Sequence, residues 1–152
     1  MKKALLLLAL FIGLALVGFL YSVLKLTNFV GKEGSAVVIN EQRIEVELAD
    51  TMEKKMRGLS GRESLPANYG LLFIFSEPRI QTFWMKEMKF PIDIIWIRGD
   101  RILGFVENAP SPTNGQELEI YSSPEEADKV LEINAGKIRE WGIEIGDLIV
   151  VA

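Results

Sequence analysis

The chain has 152 residues, with 21 acidic and 17 basic side chains and neither histidine nor cysteine, which leaves room for one ordinary domain plus an appendage. Without His or Cys there is no Ser-His-Asp triad, thiol nucleophile, disulfide or ordinary zinc site, so any catalysis would have to run on carboxylates, lysine or an oxygen-liganded ion. All 21 acidic but only 15 of the 17 basic residues lie beyond Leu24, and the resulting −6 is a poor match for a phosphate backbone, so nucleic acid is not an expected partner.

Residues 4–24 read ALLLLALFIGLALVGFLYSVL, without a charge, between Lys2-Lys3 and Lys25. At ~1.5 Å per residue this stretch spans roughly 30 Å, the thickness of a bilayer's hydrocarbon core. A cleaved secretory signal would carry a shorter apolar region, about 7–15 residues, ending at small residues, and 20–24 (LYSVL) offer poor positions of that kind. The expected organisation is a transmembrane anchor over 1–25, a tether over 26–35 and a single globular β-rich domain over 36–152. The paired N-terminal lysines favour a cytoplasmic N-terminus and an extracytoplasmic domain on the cell membrane. The membrane is thus the one partner the sequence implies directly, through residues 4–24.

Past the tether, Val37 to Ile39 begins a strand, residues 40–42 (NEQ) make a turn, and Ile44, Val46 and Leu48 alternate with polar residues as a half-buried strand does. Asp50 followed by Glu53 predicts a helix start, with Met52, Met56 and Leu59 on one face and Gly58 and Gly61 ending it. Apolar runs over 70–75, 80–85 and 92–97 predict further strands, and Arg98-Gly99-Asp100 reads as a tight turn into a strand over 102–107. Residues 108–116 (NAPSPTNGQ) form the most irregular segment. A strand near 118–121 and a short helix opened by Ser123-Pro124 are expected, then a strand over 130–133, a helical turn over 135–141 and a last strand over 148–151. The expected fold is mainly β, a compact antiparallel sandwich or barrel with two or three short helices.

Five side chains stand out as candidates for binding. Asp93 sits inside the apolar strand IDIIWI, where a carboxylate either meets a ligand or is matched by an arginine or backbone donors. Arg57 and Arg62 carry planar donor forks that could grip an anion, or pin their loop by pairing with Asp93, Glu132 or Asp147. Trp84 and Lys86 share one face of a strand end, and the indole could stack on a sugar or a partner's side chain, or belong to the core.

Six stretches in order complete the picture: 56–62 (MRGLSGR), 69–75 (YGLLFIF), 83–96 (FWMKEMKFPIDIIW), 107–110 (ENAP), 131–136 (LEINAG) and 142–147 (GIEIGD). With them the chain resembles the bacterial and archaeal domain of unknown function family 192, also called uncharacterised protein family 0127, over about 37–151. The resemblance implies a compact, mainly β sandwich or barrel, often behind an N-terminal signal or anchor, and it implies no activity. Positions matching its motifs are Arg57, Gly58, Arg62, Gly70, Phe83, Trp84, Met85, Pro91, Asp93, Glu132, Gly136, Gly146 and Asp147. Many members have Asn where this chain has Glu87, and cysteines in the loop before Tyr121. No such cysteine exists here, so any redox or metal role for those thiols does not carry over.

The leading expectation is a non-enzymatic binding module displayed on the membrane, taking a small molecule, glycan or protein partner at Arg57, Arg62, Trp84, Lys86 and Asp93. No catalytic residue, metal or cofactor is assigned. One alternative is a carboxylate-dependent hydrolase of glycan or cell-envelope material using Asp93 with Glu87 or Glu107, which would need carboxyl groups about 5–10 Å apart in an open cleft. Another is a structural partner in a membrane complex, marked by an exposed apolar patch.

Overall fold

Asn40 (φ 46°) and Glu41 (φ 67°) make the tight turn that folds β1 (Ala36–Ile39) back onto β2 (Gln42–Ala49), the positive-φ pair that a two-residue hairpin needs. The computed structural model describes residues 35–113 and 117–152. After β2 come α1 (Met52–Arg57), β3 (Tyr69–Arg79), β4 (Thr82–Trp84), β5 (Ile92–Arg98), β6 (Arg101–Ala109), β7 (Ile120–Ser122), β8 (Ala127–Asn134), α2 (Lys137–Glu140) and β9 (Ile149–Val151). The anchor and nearly all of the tether expected from the sequence lie outside the described residues. Among the described residues, no helix is long and apolar enough to cross a membrane.

Seven strands form one sheet in the order β6-β5-β8-β3-β2-β1-β9, and β4 pairs with β7 in a separate ribbon. The fold is mainly β, as expected, but not wholly antiparallel: β2 and β3 run parallel. The reason is the crossover between them, since α1 and the loop behind it return the chain to the starting end of the sheet, which a tight hairpin cannot do. The sheet curls into a half-barrel whose outermost strands meet at one end. There Arg101 bridges to Leu148, Ile102 N donates to Asp147 O at 3.0 Å, and Ile149 N donates to Asp100 O at 2.7 Å.

Both faces of the central strands are buried, and the register separates them. Side chains alternate along a strand, so residues paired across neighbouring strands share a face. One face carries Val46, Leu72, Leu131, Ile133 and Ile95, which join Val37, Ile39, Ile44 and Ile97 in the main core. Each such side chain withdrawn from water contributes about 1.5–3 kcal/mol. The other face carries the row Glu47, Leu71, Glu132, Ile94, with Phe73, Val130 and Trp96 beside it. Gly70 lets β3 and β8 approach along this sheet: a Cβ there would lie 2.9 Å from the Glu132 carbonyl oxygen and 3.0 Å from Leu131 Cδ1.

Two local expectations are corrected. The N-cap of α1 is Thr51, whose Oγ1 accepts from Lys54 N at 3.3 Å, while Asp50 pairs with the Lys54 ammonium at 3.4 Å. No helix forms after Ser123: its Oγ accepts from Gln81 N at 2.9 Å and its own N–H donates to Gln81 O at 2.9 Å. A hydroxyl engaged across the β4–β7 ribbon is not available to cap a helix.

Candidate functional site

The second face of the sheet is roofed by the segment that follows β2 and by the strand that enters the β4–β7 ribbon. Between them lies a cleft of about 140 Å³. Its buried lining includes Leu59, Phe73, Gln81, Met88 and Glu132, and Met56, Arg57 and Trp84 are exposed beside it. The buried set forms the floor and the exposed set the mouth. Phe73 and Phe83 pack edge to face with ring centroids 4.9 Å apart, and Lys55 Nζ lies 4.9 Å over the Phe75 ring.

Among the described residues Glu132 is the only acid lining this cleft, and it is 6% exposed. Its Oε2 is buried with no hydrogen-bond partner among the described residues. Burial pushes its carboxyl up to about 8, against the opposing pull of the Arg62 guanidinium. A carboxylate stripped of water and short of donors favours its neutral form. Burial thus favours the protonated form of this acid, whose Oε2 has no partner among the described residues.

Gly58 stands beside that oxygen. Its backbone lies at φ 53°, ψ −136°, a conformation a side chain rarely adopts. A Cβ there would stand 3.6 Å from the Phe73 ring and 4.0 Å from Glu132 Oε2. The Lys54 carbonyl accepts from Gly58 N at 2.8 Å, which fixes this turn at the end of α1.

The sequence-predicted residues divide around this cleft. Arg57 and Trp84 line it. Arg62 acts on Glu132 through its charge and is itself held by Glu47, Nη2 to Oε2 at 2.7 Å in a half-buried pair. Lys86 places its ammonium 5.9 Å over the Trp84 ring, the shared face expected of these two residues. Trp84 is not core: it is 57% exposed.

Asp93 does not join them. It is 0% exposed, and it shares a register row with Ile133 and Gly70, one residue out of phase with Glu132. Its Oδ1 accepts from Asn108 N at 2.8 Å and Gly136 N at 3.1 Å, and its Oδ2 accepts from Ile138 N at 2.9 Å. The register slip between β5 and β6 near Ile92 and Ile94, with Asn108 at φ 55°, turns that amide toward Asp93. Neither arginine pairs with it. A carboxylate sealed in this way has no path to a substrate, so this geometry gives the hydrolase alternative built on Asp93 no base.

In the sequence Glu132 stands out as a partner for arginine and, with Gly58 and Phe83, as a position matching the family's motifs, and none of these, nor Phe73, is marked there as part of a site. The available signal was the one that drew attention to Asp93, a charge inside an apolar run, here VLEI over 130–133.

Comparison with known proteins places these observations in a family. The family model DUF192, described as uncharacterized ACR, matches residues 35–151. A UPF0127 protein of Thermococcus gammatolerans is 35% identical over 106 residues, which is 68% of this chain and 64% of that protein. The chain thus spans somewhat under two thirds of the relative's length. Among solved structures, a putative transcription regulator from Sinorhizobium meliloti is similar at TM-score 0.68 and 30% identity, covering 77% of this chain and 91% of that one. A protein of unknown function from Novosphingobium aromaticivorans is similar at TM-score 0.67 and 29% identity, covering 76% and 82% respectively.

Proposed function

The chain belongs to the DUF192 family, and from that premise we propose that it is a non-enzymatic module that binds a small ligand in the cleft floored by Glu132. One observation carries this reading: Oε2 of Glu132 is buried, without a hydrogen-bond partner among the described residues, and 4.0 Å from the position a Gly58 Cβ would take. Buried polar atoms are nearly always hydrogen-bonded, and a donor brought by a ligand would complete this one. A cavity of ~150 Å³ accommodates one benzene-sized group, so a cleft of about 140 Å³ suits a small molecule or one side chain, not an enclosed glycan.

The same proposal places the module on the outer side of the cell membrane. Support comes from the uncharged run over 4–24 and from the lysines at positions 2 and 3. The alternative of an assembly partner in a membrane complex draws on the exposed Met52, Met56 and Trp84, and on Ile120, which pairs with Trp84 across the β4–β7 ribbon.

Methionine methyl NMR tests the binding reading, because Met56 and Met88 line the cleft and Met52 does not. A small-molecule screen against the full chain is expected to give hits that shift the Met56 and Met88 signals together. Hits that shift Met52 alone, or none in the cleft, would end the proposal. Protease treatment of intact and permeabilised cells tests the topology: cleavage of the domain only after permeabilisation would place it inside.

A further inference from the structure

Resting on the cleft as a binding site, the geometry points to a ligand class: a small unbranched amine that carries an acidic group at its far end. The ammonium would donate to Glu132 Oε2, the methylene chain would lie along Phe73 and Phe83, and the acid would meet Arg57 and Lys55 at the mouth. Each part answers to a separate feature of the site.

The floor requires a donor, since Oε2 lacks one. An ammonium does this better than a hydroxyl or amide, because a hydrogen bond between ionised partners is roughly twice as strong as a neutral one. An aromatic ring adds attraction for a cation, and Phe73 lines the buried floor beside Glu132. The middle requires an apolar chain: Phe73 is 1% exposed and meets Phe83 edge to face. The mouth requires an anion. Lys55 and Arg57 both line the cleft, and no acid pairs with Arg57 among the described residues, so a plain alkylamine would meet uncompensated positive charge.

The charged groups facing Glu132 are Lys55 and Arg57 from α1 and Arg62, with its partner Glu47, from the loop and β2. Burial pushes the Glu132 carboxyl up to about 8, which makes it the group through which binding responds to pH. An entering ammonium displaces the proton of Glu132 to solvent, so affinity is expected to rise with pH toward 8.

Calorimetry on the full chain at pH 6, 7 and 8 with ε-aminocaproate, hexylamine, caproate and hexanol tests the class. The expected result is that ε-aminocaproate binds at least about tenfold more tightly than the other three and gains up to about tenfold per pH unit. Glu132→Gln, which keeps the shape, should lose about tenfold or more of that affinity. Arg57→Ala, at an exposed position, should narrow the preference for ε-aminocaproate over hexylamine, with Lys55 retaining the remainder. The proposal is overturned if caproate or hexanol binds as well as ε-aminocaproate, or if Arg57→Ala leaves the preference intact. It is also overturned if ε-aminocaproate fails to shift Met56 and Met88. If other molecules from the screen still shift both signals, only the ligand class falls and the cleft as a binding site stands.

Discussion

Asp93 and Glu132 are carboxylates set in apolar runs of neighbouring strands, and Ile94, the residue after Asp93, is the cross-strand partner of Glu132. That single step puts them on opposite faces of the sheet. On one face Asp93 receives three backbone N–H groups at 2.8–3.1 Å. On the other, Glu132 leaves Oε2 without any among the described residues, beneath a cleft that opens to solvent. Equal burial thus has two meanings. A buried acid supplied with donors from converging loops is a structural clamp, while one that lacks them is where we propose that a ligand binds.

The largest loss should come from breaking the clamp. Asp93→Ala strands three amides, that of Ile138 buried and those of Asn108 and Gly136 part-buried, and a buried one costs about 1–3 kcal/mol when unsatisfied, so a loss of about 3 kcal/mol is expected in urea unfolding. The cost should also appear locally, as faster hydrogen exchange at Ile138 and through α2. A variant as stable as the wild type would show that the three bonds contribute nothing and would remove one side of the comparison.

Glu132→Gln should act in the opposite direction and depend on pH. The carboxyl is raised from its ordinary 4.5 to about 8 in the folded protein, so the folded state holds a proton that the unfolded chain releases. The wild type therefore loses stability as pH rises from about 4.5 to 8, at up to ~1.4 kcal/mol per unit. The glutamine variant lacks this slope. Denaturation curves at pH 5 and pH 8 should show its stability relative to wild type growing by up to roughly 4 kcal/mol across that window. Parallel curves for the two proteins would mean that Glu132 titrates normally and that its burial has no electrostatic consequence.

The smallest effect is expected at a second orphan. Trp96 Nε1 is buried without a partner among the described residues, and the side chain is 4% exposed, yet it lies outside the cleft lining. Trp96→Phe gives up some packing and relieves an unsatisfied donor, so thermal unfolding should register a change of about 1 kcal/mol or less. Ligands that shift Met56 and Met88 in the wild type should do so unchanged in this variant. If Trp96→Phe abolished those shifts, the link between one particular orphan and one cleft would fail.

Most of the secondary structure was legible in the chain because alternation and turn residues act locally. Ile44, Val46 and Leu48 announced β2, Asn40 and Glu41 stood at the turn before it, and Gly99 followed β5. The helix expected after Ser123 failed because that hydroxyl bonds Gln81, 42 positions earlier in the chain. The parallel pairing of β2 with β3 was equally hidden, since strand direction depends on where a crossover returns and no residue type encodes it.

By itself the sequence determined the mainly β class, the uncharged run over 4–24, the lack of His and Cys chemistry, and the presence of charges inside apolar strands. Only the tertiary structure decided what those charges do. Asp93 and Glu132 carry the same group in the same kind of setting, and a strand pattern does not say which loops will curl over which face. Amides from Asn108, Gly136 and Ile138 reach Asp93 across separations of 15, 43 and 45 positions. Gly58 and two phenylalanines line the cleft with Glu132, and no donor among the described residues reaches its Oε2. Satisfaction of a buried charge is a property of converging segments, and so the candidate site lies where the fold left one acid unmatched.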